Sequence, residues 1–142
     1  MILSEVRTTI RDRLLGLGYE EWLNYGSDNV PETVLERYFH VGVSGGSGTN
    51  VAMHTASVVN DVQVTLWRKG FQNAVESQDA GLASVQEVLC DLLAPAQRTL
   101  PAYRRIDLSS YALEQIATDN DSICKITINL SVEVILEVTQ PL

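Results

Sequence analysis

Apolar positions in the first seventeen residues recur in steps of three and four: Leu3, Val6, Ile10, Leu14 and Leu17 fall on one stripe, with Glu5, Arg7, Thr8, Asp12 and Arg13 away from it. The spacing predicts an amphipathic helix over Ile2–Leu17, ended by Gly16 and Gly18. Gly26, Asp28, Asn29 and Pro31 mark the next segment as a surface crossing. At Leu35 the period changes to two. Leu35, Arg37, Phe39, Val41 and Val43 alternate with Glu36, Tyr38, His40 and Gly42, and after the glycine-rich HVGVSGGSGTNV the alternation resumes at Val62, Val64 and Leu66. These two strands form a hairpin whose tip is a long loop, Ser44, Gly45, Gly46, Ser47, Gly48, Thr49 and Asn50.

Helical spacing returns from about Asp79 to Leu93. Leu82, Val85, Leu89 and Leu92 share the stripe, Ser84, Gln86, Glu87 and Asp91 lie off it, Asp79 serves as N-cap, and Pro95 sets the stop. Two further strands follow, about Arg104–Ile116 and Ile123–Val138, joined by the turn-rich TDNDS. The last alternates without a break from Ile126 to Val138. At the usual rise it spans roughly 50 Å, more than a small core covers.

The order helix, strand, strand, helix, strand, strand reads as an α+β fold: an antiparallel four-stranded sheet with two helices packed on one face and a long loop in the first hairpin. The other face is polar. Its open strand edges, normally a hazard, become the assembly surface if the chain forms a ring.

A length of 142 residues with 45% hydrophobic composition suits one domain, 1–142. The formal charge of −8 argues against a conventional nucleic-acid reader. Cys90 and Cys124 have no CxxC spacing, and the charges at Glu5, Arg7 and Arg11 interrupt any leader-like apolar run, so a cytoplasmic chain with reduced thiols is expected. No stretch is apolar enough for a membrane helix.

Candidate chemistry is sparse. His40 and His54 are the two histidines, without the roughly four convergent ligands that tetrahedral zinc requires. SGGSG lacks the GK[ST] continuation and helix start of a phosphate loop, which favours a linker-like or partner-ordered segment. Neither histidine sits in a recognisable triad motif, so no catalytic residue, metal or cofactor is assigned and the chain is not expected to be an enzyme. Arg104 and Arg105, near Arg98, either meet an acidic neighbour across a subunit contact, or cap the second helix region or sit on a solvated strand edge. Trp22 and Trp67 are interface anchors or core-margin packing.

Five segments together, VRTTIRDRLLGLG, RYFHVGV, DVQVTLWRKG, GLASVQEVLCDLLAP and RRIDLSSYALEQI to ICKITINLSVEVILEV, resemble the tail terminator proteins of long-tailed bacteriophages, also described as tail-to-head joining or tail completion proteins. The resemblance covers nearly the whole chain and lies in the order and style of its elements. It implies a virion protein, assembled in the host cytoplasm, that forms a hexameric ring on the last ring of tail tube protein, stops tube growth and offers its other face to the head connector. On that reading Ser44–Asn50 is ordered by a neighbouring subunit. DNA passes through the lumen without adhering, and Asp119, Asp121, Glu133 and Glu137 are candidates for its acidic lining. The alternatives are a head closure or tail-tube-like protein of the same machinery, or a small ligand-binding or enzymatic α+β domain with a polar pocket.

Overall fold

The computed structural model describes residues 3–22, 37–71, 73–94, 105–117 and 122–137. The first helix, α1 (Ser4–Gly16), buries Val6, Ile10 and Leu14 and leaves Leu3 43% exposed. Gly18 ends it. With φ at +91° it adopts the left-handed conformation that glycine tolerates, and two backbone bonds close the end, Gly18 N–H to Leu15 O and Tyr19 N–H to Leu14 O. That closure turns the chain back on itself, buries Tyr19 and delivers Glu20–Glu21 as a short strand, β1.

Strands β2 (Arg37–Ala52) and β3 (Thr55–Phe71) form a continuous antiparallel hairpin that turns at Met53–His54. Helix α2 (Ala74–Leu92) follows, then β4 (Arg105–Ala117) and β5 (Ser122–Glu137). The sheet order is β1-β2-β3-β5-β4.

Two expectations about this sheet are overturned. It has five strands and is mixed, because β1 pairs parallel with Tyr38–Phe39 of β2. Two glutamates give no alternation to read. Position is what makes them a strand: the glycine-closed end of α1 lays them along the β2 edge, where Trp22 N–H donates to Phe39 O at 2.8 Å. The second correction concerns Ser44–Asn50, which is strand and not a hairpin loop. Gly45, Gly46, Ser47, Gly48, Thr49 and Asn50 pair in turn with Asp61, Asn60, Val59, Val58, Ser57 and Ala56. Ser44 is the extra residue of a bulge between Val43 and Gly45. Order there comes from β3, so no neighbouring subunit is needed to supply it. Gly46 is fixed by a close approach, since a Cβ on it would lie 2.5 Å from Val59 O.

The core is one cluster between the helices and one face of the sheet. Val6, Ile10 and Leu14 of α1 and Val85, Val88 and Leu92 of α2 join Phe39, Val41, Val64, Leu66, Ile126, Ile128 and Val132 from the strands. Both helices therefore cover the same face, as the periodicity predicts.

Helix α2 departs from its reading in start and in rotation. It begins at Ala74, capped by Asn73, whose side-chain oxygen accepts from Glu76 N–H at 2.9 Å, and Asp79 lies inside the second turn. The buried stripe is Ser77, Gly81, Ser84, Val85, Val88 and Leu92, while Leu82 is 43% exposed. Polar and small residues are inside for stated reasons. Ser84 Oγ accepts from Arg68 at 2.7 Å, and Gly81 lies so close to the sheet that an added Cβ would meet Cys124 Sγ at 2.5 Å.

The opposite face of the sheet carries its own small apolar cluster at one end, where Tyr38, Trp67 and Ile123 are buried against Trp22 and Ile116. Trp22 meets Trp67 edge-on at 5.0 Å between ring centroids. Both tryptophans thus pack within the chain. Among the described residues no helix is long and apolar enough to cross a membrane.

Candidate functional site

Backbone hydrogen bonding identifies the surfaces with unmet capacity. On one side of the sheet β1 covers only Tyr38 and Phe39, and Arg7 Nε takes Val41 O at 2.9 Å. Beyond Val41 the β2 edge has no neighbouring strand among the described residues. On the other side β4 is the outermost strand among the described residues. Unpaired edges this long template pairing with another chain unless they are blunted.

The β2 edge lies beside a cleft of about 830 Å³ between the start of α1 and the residue 43–48 segment. Its position follows from Arg7, which is held by Val41 O and by Glu21 Oε1 at 3.0 Å and so pins α1 over the strand. Arg11 adds a second contact to Glu21 at 3.6 Å. Leu3, Val43 and Val58 supply apolar walls, and the small side chains of Ser44 to Gly48 leave a bare backbone floor.

The cleft is poor in chemistry. Among the described residues its one charged lining group, Arg7, is already engaged, Thr8 donates to Ser4 O at 3.2 Å, and the lining includes no histidine, cysteine or carboxylate. Nothing there forms a nucleophile, base and oxyanion set. Among the described residues no group of three or more His, Cys, Asp or Glu side chains is placed to hold a metal ion.

His40 is half-buried with Nδ1 3.3 Å from Trp22 O, and burial holds its pKa below the ordinary 6.5. His54 is exposed in the hairpin turn. The two do not meet. Cys90 is exposed and Cys124 buried, both as free thiols, and burial pushes the Cys124 thiol up.

The face turned away from the helices brings some expected charges together. Glu133 and Glu137 lie on it, with Asp61 and Asp107 in neighbouring strands at the same end, where Asp61 and Asp107 are both opposite Ser131. Arg105 lies opposite Glu133 and bridges to Asp107 at 2.6 Å. Among the described residues this half of the face therefore carries four carboxylates and one intramolecularly paired arginine. Across its middle a polar ladder links three strands, with Gln63 donating to Asn129 at 3.3 Å and Asn129 to Ser110 at 3.0 Å. Arg98, Arg104, Asp119 and Asp121 lie outside the described residues.

Val43, which the alternation marks as an inward strand position, is 43% exposed, and Leu108 and Tyr111, which pattern reading does not single out, are 37 and 47% exposed. Their signal is faint. Leu108, Tyr111 and Leu113 belong to an apolar alternation that Ser109 interrupts, because a bulge separates Leu108 from Ser110. No protein-family model matches the chain, and no curated protein matches its sequence.

Proposed function

We propose that this chain is a structural subunit of a phage tail, a tail-terminator-like protein that closes into a ring on the end of the tail tube and joins it to the head connector. One observation carries the reading: among the described residues a single sheet has no neighbouring strand on either side, along β4 and along the outer half of β2, and no catalytic constellation lies between these edges. Edges at opposite sides of a subunit generate a ring when repeated around an axis.

Two further features support it. The carboxylates on the outer half of the exposed face suit a wall past which DNA slides, since neutralising phosphates is what makes binding tight. The long β2–β3 hairpin ends in Met53, which is 88% exposed and available to an adjoining ring or connector. The hexameric number is taken from the resembled family. A tail-tube-like subunit is the second reading, favoured by that same exposed tip, and it differs in stacking without limit.

The test is tube growth. Added to polymerising tail tubes, the chain is expected to arrest elongation and appear in electron micrographs as one extra ring at one end. Unlimited co-polymerisation would favour the tube reading, and failure to bind tubes at all would remove both.

A further inference from the structure

The two edges that have no neighbouring strand among the described residues match each other. Register places Val43 opposite Val62, Val62 opposite Leu130, and Leu130 opposite Leu108. This is one row across the sheet, on the face covered by the helices. Its middle members, Val62 and Leu130, are 2 and 1% exposed, while its ends, Val43 and Leu108, are open to solvent.

Both outer strands also carry their extra residue at this height, Ser44 in β2 and Ser109 in β4. A bulge bends its strand, so the two edges turn together and remain alongside one another when abutted. Direction agrees as well. Three successive antiparallel pairings separate β2 from β4, so they run oppositely, and a copy placed side by side presents an antiparallel partner.

We propose that β4 of one copy pairs antiparallel with the outer half of β2 of the next, bringing Leu108 against Val43 and seating Leu108 at the cleft beside Leu3. The occupant of the cleft is thus a second copy of this chain. The junction buries apolar side chains that are solvated in the single subunit and satisfies edge backbone groups on both copies. It is heterologous, so it leaves one edge free at each end until a ring closes. The inference rests on the ring reading above and gives it a named interface.

Cross-linking tests it. Within one chain Val43 and Leu108 are separated by three strand spacings, about 14 Å, whereas a disulfide requires Cα atoms within about 7 Å. A bond between cysteines at these positions therefore joins two copies. In a Cys90→Ser background, Val43→Cys and Leu108→Cys proteins are oxidised separately, then mixed and oxidised together. Covalent dimers are expected in the mixture and not in either variant alone, and the double variant is expected to give a ladder ending at the ring number.

Dimers from Leu108→Cys alone would show a symmetric edge pair and overturn the junction. An oligomer that forms without the mixed cross-link would overturn the junction and leave the ring reading standing. A chain that stays monomeric by light scattering, with no cross-link, overturns both. Leu108→Asp gives an independent readout: about tenfold or greater weakening of association, with the circular dichroism spectrum unchanged. Association unaffected by that charge would also overturn the proposal.

Discussion

Gly46→Ala is the sharpest probe of the outer hairpin. An ideal Cβ there sits 2.5 Å from Val59 O and 3.3 Å from Asn60 Cα, and ordinary contact begins at 3.4 Å, so β2 and β3 must separate by 3.4 − 2.5, about 0.9 Å. The obstacle is backbone, which does not swing aside. Overpacking of this kind costs about 1–3 kcal/mol, and the reduced freedom of the unfolded chain returns about 0.4–1 kcal/mol. The net expectation is a loss centred on about 1.3 kcal/mol and no larger than about 2.6 kcal/mol.

Gly48→Ala is the control. Its nearest neighbours would be Ser57 O at 3.4 Å and Val58 Cγ2 at 3.6 Å, both ordinary contacts. Hydrogen exchange is the assay, because it resolves local opening from global unfolding. Amides of residues 44–52 and 55–61 are expected to exchange roughly 5–30 times faster in Gly46→Ala, and Gly48→Ala is expected to match the parent. Equal behaviour of the two variants, or slow exchange lost throughout the segment in the parent, would refute the paired hairpin.

Gly81→Ala, which places a methyl group 2.5 Å from the buried Cys124 sulfur, is expected to lower stability in urea by about 1–2 kcal/mol despite better helix propensity; adding Cys124→Ala should recover part of that loss. Removing Asn73 as the α2 cap by Asn73→Ala should cost about 1 kcal/mol in the same assay, whereas Asp79→Ala should cost little. His40 has a lowered pKa because of burial, so the unfolded chain binds the extra proton first; its contribution is complete above about pH 6.5 and is lost as pH falls below it, and the difference in melting temperature between parent and His40→Gln should narrow or invert on acidification. Arg13 and Asp91 tie α1 to α2, but Arg13 is 39% exposed, so a double-mutant cycle should return at most about 1 kcal/mol, falling with salt.

Legibility in the sequence followed burial chemistry. Helix α1 and strand β5 are readable because large apolar residues repeat at the right period on a covered face, as they do in β3 from Val62 on but not over Thr55–Asp61; in β4 the repeat is weaker, with Ile106 buried and Leu108 and Tyr111 exposed. Three features escaped for physical reasons. The glycine and serine run of β2 has little β propensity of its own, and it is strand because β3 pairs with it throughout. Strand β1 is defined by the glycine closure of α1 and has no pattern. In α2, Ser84 is inside because Arg68 supplies its hydrogen bond, and Gly81 is inside because nothing larger fits, so hydrophobicity alone rotated the stripe toward Leu82. Matching Val43 to Leu108 requires the register of four strands, which no pattern within one strand carries.

The central claim, a subunit that closes into a ring, is tested most directly by the mass of the purified protein in solution. Six copies of 15.7 kDa give about 94 kDa. The account predicts a discrete species of that mass by light scattering, unchanged in stoichiometry as concentration rises, alone or on tail tubes. A monomer that neither associates nor binds tubes would contradict it.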